Sequence, residues 1–465
     1  MTPDREGAVA VERDTEDRIS ALPSNVIDGI LSLLPVHDTE DRISALPRNV
    51  IDGILSLLPV HDAARTSILS KNWRYIWPML PNLVLDNHFC NKLALKSQSV
   101  LKETVDEILL EHVGDIVKFV LDMSGTHLTS YADIDRLVRF VTRNYADIDR
   151  WMRFVTRKNV KELILDMPDN STYKLPSHVF NCPTLSYLEL RNSLFKPPNS
   201  FLGFQNLINL CLNKVTFVSS PDFPVINAPF LVKLTLTHCN GTQNLNIVVS
   251  SQLKYLSVRE SHYNLDLNRF MTCKKLTCLN LAVESPISAD ERSTHEQFIF
   301  SLSTLEVLTL ASHFLELLSA GAVPNGLPIT LNCLWHLMLG VNFSKLGQTS
   351  YTLELIKNSP NLRKLEIWDN TTSDPAKAVM KYLDTPACLD RTLNKLRDVS
   401  IHYFKRSKTV LSFVKLLFAH APSLLRMSIK PTKAPSSKEE LNIAIELMRL
   451  PRVSPKADLC YHPVE

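Results

Sequence analysis

The side chains that could do chemistry in this chain of 465 residues are nine cysteines and 14 histidines, and their spacing argues against a reaction centre. No C-x-x-C pair occurs, and Cys278, which follows Cys273 at a short distance, falls within a predicted β-strand. The sequence patterns of phosphate-binding loops, dinucleotide-binding turns, zinc proteases and serine hydrolases are all absent. We therefore expect no catalytic residue, no cofactor and no metal ion.

The cysteine count and the charge balance narrow the class of protein. An odd number of scattered cysteines in a large chain is typical of a reducing compartment rather than of a disulfide framework. Cys182, Cys273 and Cys333 stand just before repeated leucine motifs, where we expect them to pack in turns. With 51 basic and 48 acidic residues no basic stripe dominates, so we do not expect nucleic acid as a partner.

The sequence also bears on location. The N-terminus has no basic stretch followed by an apolar run, so we expect no secretory signal. No window approaches the ~18 uninterrupted apolar residues of a membrane-spanning helix, so we expect no membrane partner. Location in the nucleus and/or the cytoplasm is the expectation that remains.

A repeated leucine motif, rather than a reaction centre, organises the chain. The motif Leu-x-x-Leu-x-Leu, or a close variant, recurs in steps of 22 to 34 residues, at 185–190, 207–212, 231–236, 253–258, 276–281, 305–310, 334–339, 362–367, 396–401 and 424–429. A fixed hexad with a period of about 20–29 residues is typical of a leucine-rich-repeat solenoid, in which each hexad forms one strand of a curved parallel sheet. We therefore predict an α/β fold that displays a long recognition surface.

The residues between the leucines are the candidates for target binding. We expect the leucines to point into the core and their neighbours to lie on the exposed strand face. Tyr, Trp and Arg dominate binding hot spots, which selects three pairs: Tyr187 with Arg191, Tyr255 with Arg259, and Lys364 with Trp368. The alternative for each residue is an ordinary solvated strand position.

A tandem duplication precedes the repeats. Residues 15–38 and 39–62 differ only at Ser24 and Arg48, which indicates recent tandem copying or an error in assembling the coding sequence. In the second copy, Pro47 suits the start of a helix, and apolar residues follow at helical spacing. Asp62 is a candidate cap for a second helix, and a third turn carries Trp73, Ile76, Trp77 and Leu80. The hairpin has more apolar surface than it can bury within itself, so it needs a partner.

The stretch LPRNVIDGILSLLPVHDAARTSILSKNWRYIW, at 46–77, resembles an F-box. The resemblance implies docking on a Skp-type adaptor, which links the chain to the cullin of a ubiquitin ligase; a helical cap for the solenoid is the alternative. It assigns adaptor binding to apolar residues of the second copy: Leu46, Pro47, Ile51, Ile54, Leu55, Leu58, Pro59, Trp73 and Trp77. If the first copy docked instead, the connection between its helix and the rest of the hairpin would double in length about three times. Closing this longer loop would cost ~2 kcal/mol more. The second copy is therefore preferred, and the first is a surplus amphipathic helix.

A second duplication pairs residues 131–144 with 145–158. Each copy has one apolar helical face, and because 14 residues are two heptads the copies can fuse into one helix with a slowly drifting stripe. The end of the chain is similar to the FBD module of plant F-box proteins, which physically predicts a last pair of strands with helices as a cap. The central repeats are similar to the same plant family.

These observations give four predicted segments. Residues 1–38 are an N-terminal extension, 39–80 the F-box, 81–387 the leucine-rich repeats with a duplicated helical insert at 131–158, and 388–465 the FBD cap. We predict the non-catalytic substrate-recognition subunit of a Skp–cullin–F-box ubiquitin ligase, whose repeats bind an unidentified protein target. The alternative is a leucine-rich interaction scaffold that does not assemble with the ligase. An enzyme has no supporting motif.

Overall fold

The computed structural model of the chain describes residues 47–55, 58, 60–65, 76–125, 130–169, 171–218, 225–241, 246–249, 251–259, 270, 272–282, 304–319, 327, 330–372, 377–405, 407–432 and 445–462. These residues belong to two compact units. One comprises residues 1–81 and 111–114, and the other comprises residues 82–110 and 115–465.

The first unit contains two short helices and one 3-10 turn in its described part. Helix α1 spans Arg48–Leu55, α2 spans Val60–Arg65, and the turn spans Trp77–Met79. The amides of Val50 and Ile51 donate to the carbonyl of Pro47, so the proline starts α1 as predicted. The prediction for Asp62 is wrong, because α2 begins two residues before it. Apolar side chains from the three elements form a small core: Ile51, Leu55, Val60, Ala63, Ile76, Trp77 and Leu80.

The second unit contains one fourteen-stranded sheet in which every pairing is parallel. In spatial order its strands are β1 Asn82–Leu85, β2 Lys118–Asp122, β3 Glu162–Asp166, β4 Tyr187–Arg191, β6 Asn209–Asn213, β9 Lys233–Thr237, β11 Tyr255–Arg259, β12 Cys278–Ala282, β13 Val307–Leu310, β14 His336–Val341, β15 Lys364–Asp369, β16 Asp398–Phe404, β17 Arg426–Pro431 and β18 Asp458–Tyr461. Two short pairs lie outside it, β5 Leu194–Phe195 with β7 Thr216–Phe217, and β8 Val225–Ala228 with β10 Asn246–Val249.

Helices fill several of the connections between these strands. They are α3 Asn87–Lys96, α4 Gln98–Glu111, α5 Tyr131–Arg143, α6 Tyr145–Thr156, α7 Ser177–Phe180, α8 Ser312–Ser319, α9 Leu346–Lys357, α10 Lys377–Leu383 and α11 Lys408–His420, with a 3-10 turn at Pro386–Leu389. Within the described ranges, no helix has both the length and the apolar character that crossing a bilayer requires.

The leucine hexads account for the register of the sheet. The second leucine position of each hexad pairs with the same position of its neighbour, as in Leu188↔Leu210 and Leu308↔Leu337, so these side chains form one fully buried column. All ten hexads form strands, and the predicted parallel-sheet solenoid is confirmed. A further strand, β1, was missed because its hexad, Leu80, Leu83 and Leu85, begins at the last residue of the predicted F-box segment.

The second duplication forms two helices, so the prediction of a single fused helix is wrong. Helix α5 ends at Arg143 and α6 begins at Tyr145, with Asn144 between them at φ −113° and ψ 21°. The break has a packing reason. Helix α5 packs against α3, whereas α6 packs against α7, and one straight helix would carry its apolar stripe away from one of these neighbours.

Two further expectations need correction. The segment 388–465 contributes three strands, β16, β17 and β18, rather than a pair, and they continue the same sheet. Of the three cysteines expected in turns, Cys182 and Cys273 are buried as predicted, but Cys333 is exposed.

Candidate protein-interaction surfaces

The structure divides the predicted adaptor-binding residues into three groups. Ile51, Leu55 and Trp77 are buried inside the first unit, so they support the hairpin instead of offering surface. Pro47 is exposed, and Ile54 and Leu58 are half-buried, so for these three adaptor contact stays a prediction. The remaining predicted contacts lie outside the described residues: Leu46, Pro59 and Trp73.

The predicted target-binding residues all lie on the sheet face that the leucines leave free, which we call the open face. Along β4 the side chains alternate between half-buried or exposed positions, at Tyr187, Glu189 and Arg191, and buried leucines. The same alternation recurs on β6, β9 and β15. Because strands are spaced ~4.8 Å apart, open-face residues of neighbouring strands are within reach of one another.

On β4 the two predicted contacts are joined by a residue that sequence reasoning missed. The carboxylate of Glu189 accepts a hydrogen bond from the Tyr187 hydroxyl at 2.6 Å and from Arg191 Nε and Nη2 at 2.8 and 2.6 Å. Arg191 Nη1 also lies 3.4 Å from Asp166 Oδ2 on β3. These contacts hold an aromatic ring and a guanidinium at fixed positions on the open face, so neither needs ordering when a partner binds.

Asp166 gives this part of the open face a distinctive electrostatic character. Its side chain is largely buried and pairs in register with Asp122 on β2. Burial, followed by the charge of Asp122, raises the pKa of Asp166 to about 6, although Arg191 and a hydrogen bond from Asn192 act in the opposite direction. The carboxylate is therefore half-ionised near pH 6, an unusual state for an aspartate.

A second cluster lies on β14, β15 and β16, and Glu366 is at its centre. Its carboxylate accepts from Lys364 Nζ at 2.6 Å and lies 3.1 Å from His336 Nε2 and 3.5 Å from His402 Nε2. Burial alone would raise the pKa of Glu366, but its hydrogen bond with Lys364 and the nearby positive charge lower the pKa overall. Burial lowers the pKa of both histidines, so they are neutral at pH 7. Trp368 completes the cluster, with its ring 6.2 Å from that of His402.

The third predicted pair lies between these clusters on β11. Lys233 Nζ of β9 lies 4.9 Å from the centre of the Tyr255 ring, a distance at which a cation and an aromatic face attract. Tyr255 is half-buried and Arg259 is exposed. The three predicted pairs therefore share one face without touching. Tyr187 and Tyr255 are three strands apart, or ~14 Å, and Tyr255 and Lys364 are four strands apart, or ~19 Å.

The residues that sequence reasoning missed occupy one hexad position. Glu189 and Glu366 both stand between the second and third leucines, whereas the predicted contacts come from the positions outside that pair. The signal was present, because a carboxylate flanked two residues away by Tyr and Arg, or by Lys and Trp, can bridge along one strand face.

A further aromatic and basic group lies at the edge where β14, β15 and β16 begin. Trp335, Arg363, Lys364 and Arg397 line one shallow groove there. Trp335 is 39% exposed. In the described ranges, Arg363 and Arg397 form no ion pair, so this edge offers an unpaired positive charge beside an aromatic ring. Such edges suit an acidic protein segment.

Two families of known proteins match parts of the chain. Residues 43–85 match the F-box domain family. Residues 148–367 match the family described as "FBD-associated F-box protein At5g56370, LRR repeats". The two matches together cover the hairpin of the first unit and the central strands of the sheet.

Similar proteins span nearly the full length of the chain. The F-box/FBD/LRR-repeat protein At1g13570 of Arabidopsis thaliana is 28% identical over 96% of this chain and 99% of its own length. The FBD-associated F-box protein At5g56370, also from Arabidopsis thaliana, is 25% identical over 96% and 100%. The solved Leptospira interrogans LRR protein LIC12759 aligns with a TM-score of 0.31 and 14% identity over 74% of this chain and 96% of its own, a likeness too low to add weight. The chain is therefore similar, over nearly its whole length, to plant proteins that combine an F-box, leucine-rich repeats and an FBD module.

Proposed function

We propose that this chain is the substrate-recognition subunit of a Skp–cullin–F-box ubiquitin ligase. The F-box match at residues 43–85 is the observation that carries the proposal. In it, the F-box docks on a Skp-type adaptor and reaches the cullin through it, while the open face binds the target protein. The chain itself catalyses no step; it raises the effective concentration of the target near the ubiquitin carrier.

The open face supports the target-binding half of this proposal. Its tyrosine, arginine and tryptophan side chains are the types that dominate protein-binding hot spots. Glu189 holds both Tyr187 and Arg191, and Glu366 holds Lys364; a pre-ordered side chain loses less conformational freedom on binding. The span of ~34 Å from Tyr187 to Lys364 fits an extended protein segment or a folded domain.

The adaptor-binding half is tested by a binding assay with a matched control that the chain itself provides. Ile54 is half-buried on α1, and its counterpart in the first copy is Ile30. We expect Ile54→Asp to weaken capture of the chain by a purified Skp-type adaptor at least tenfold, because a buried unpaired carboxylate at an interface is strongly unfavourable. Ile30→Asp should leave capture unchanged within about twofold. Circular dichroism of both variants controls for folding.

The double change Leu46→Ala with Pro47→Ala, against Leu22→Ala with Pro23→Ala, provides a second comparison. Equal losses from the two members of either comparison would refute the assignment of docking to the second copy. If the wild-type chain is not captured at all, the proposal of ligase assembly is wrong.

The near-identical first copy favours one alternative function. In this alternative, the first copy, residues 15–38, competes with the adaptor for the second copy and leaves a leucine-rich scaffold without ligase assembly. Deleting residues 15–38 separates the two functions: adaptor capture that appears only after the deletion supports the scaffold. We place the activity in the nucleus and/or the cytoplasm, which imaging of a fluorescent fusion would test.

A further inference from the structure

A cavity of about 390 Å³ lies beside helix α6, away from the open face. Its walls come from α6 (Tyr145–Thr156) and from the connection between β3 and β4, at residues 172–178, with Lys196 and Pro198 at its rim. A volume of this size accommodates a small molecule. The proposed function does not use this cavity.

The cavity is rich in positive charge. Arg153, Lys174 and Lys196 line it and are exposed, and within the part of the chain that the structure describes none of the three forms an ion pair. Asp149 is the acidic residue of the lining, and its Oδ1 accepts from the Tyr173 hydroxyl at 2.9 Å. The lining therefore has an excess of unpaired cations, which favours an anionic ligand.

The duplicated helices differ in the pairing of their equivalent arginines. In α5, Arg139 forms an ion pair with Asp135, one helical turn earlier. The equivalent residues in α6 are Arg153 and Asp149, at the same spacing, with Trp151 and Met152 between them in place of Leu137 and Val138. There the Tyr173 hydroxyl donates to the aspartate. In the described residues Arg153, unlike Arg139, forms no ion pair, and its guanidinium lines the cavity.

Polar and aromatic groups complete the lining. The Tyr145 hydroxyl lies 3.2 Å from Ser171 Oγ and 3.3 Å from Thr172 Oγ1, and the rings of Tyr145 and Tyr173 are 5.3 Å apart. His178 also lines the cavity.

We propose that this cavity binds a small soluble molecule that carries a phosphate group. Arg153, Lys174 and Lys196 contact the phosphate oxygens, since guanidinium and ammonium groups form short charge-assisted hydrogen bonds with them. The Tyr145 and Tyr173 rings border the rest of the ligand. The inference is independent of adaptor and target binding.

Titration calorimetry on the full-length chain tests the site, with phenyl phosphate and inorganic phosphate as probes at constant ionic strength. We expect saturable binding of phenyl phosphate that Arg153→Ala weakens by about tenfold or more, as loss of a charge-assisted hydrogen bond predicts. Arg139→Ala is the matched control, because it removes the same side chain from the equivalent position of the other copy, and it should change the affinity by less than about twofold.

Tyr173→Phe extends the test to the geometry. It removes the hydroxyl that holds Asp149, so Asp149 can pair with Arg153 as Asp135 pairs with Arg139, and phosphate affinity should fall. Lys196→Ala should also weaken binding. Because Lys196 lies outside helix α6, weaker binding by this variant cannot be attributed to loss of that helix. The proposal is overturned if phenyl phosphate does not bind saturably, or if Arg139→Ala and Arg153→Ala reduce affinity alike.

Discussion

The duplicated helices permit a direct measurement of what tertiary burial contributes to stability. Ile134 and Ile148 occupy the same place in the same hexapeptide, Tyr-Ala-Asp-Ile-Asp-Arg, and both lie in helices. Ile148 is 0% exposed, whereas Ile134 is 37% exposed. We predict that Ile148→Ala destabilises the chain far more than Ile134→Ala.

The expected magnitudes follow from the burial. Truncating a fully buried isoleucine to alanine costs about 2–5 kcal/mol, and we expect ~3 kcal/mol at Ile148 because α6 is enclosed by its neighbours. At Ile134 part of the side chain is already in water, so about 1 kcal/mol is lost. The gain in helix propensity on replacing isoleucine by alanine, ~0.4 kcal/mol, applies to both positions and cancels in the difference. A difference of about 2 kcal/mol is therefore attributable to tertiary contacts alone.

Urea unfolding followed by far-UV circular dichroism measures both free energies, with equal m-values as the check that the unfolded states are comparable. Because repeat proteins can unfold in parts, hydrogen exchange by mass spectrometry should also show faster exchange in α6 and β3 for Ile148→Ala only. Equal destabilisation by the two substitutions would refute the packing described for the duplicated helices.

Two predictions concern titration. The folded-state pKa of Asp166 is raised to about 6, so its ionisation removes stability as the pH rises through that value. Asp166→Asn should therefore stabilise the chain more at pH 8 than at pH 5, by about 1 kcal/mol. Urea midpoints that shift equally at both pH values would contradict this prediction. The pKa values of His336 and His402 are lowered by burial, so neutral imidazoles favour the folded state above the unfolded-state pKa, and this stability is lost as the pH falls. NMR titration should place the pKa values of both histidines below 6.5. Glu366→Gln should lower these pKa values further, because the carboxylate favours the charged histidines. A higher pKa for either histidine in this variant would show that Glu366 does not face them.

Much of the fold could be predicted from local sequence because the leucine motif that specifies it is periodic. Each hexad places leucines at alternate strand positions, and alternation alone determines which side chains face the core. The strand β1 and the strand β18 were missed for opposite reasons. β1 repeats the hexad directly after the segment that resembles an F-box, whereas β18, Asp458–Tyr461, keeps one leucine of the hexad, Leu459, and is held by its register with β17.

The open-face clusters could be predicted only in part. The tyrosines, arginines and tryptophan were found because of their type and position, but Glu189 and Glu366 became significant only through their contacts. Glu366 joins side chains from three neighbouring strands, whose residues are about 30 positions apart in sequence. No local pattern reports which residues a sheet register brings side by side.

The second duplication distinguishes most clearly what the sequence determines from what the tertiary structure adds. The sequence by itself determined that both copies are helices with one apolar face, because that depends on residues within a few turns. Only the tertiary structure decided that Tyr131 is 91% exposed while its counterpart Tyr145 lines a cavity, and that Arg139 pairs with its own helix while Arg153 does not. Burial and ion pairing depend on neighbours supplied by distant parts of the chain, which two nearly identical segments do not share.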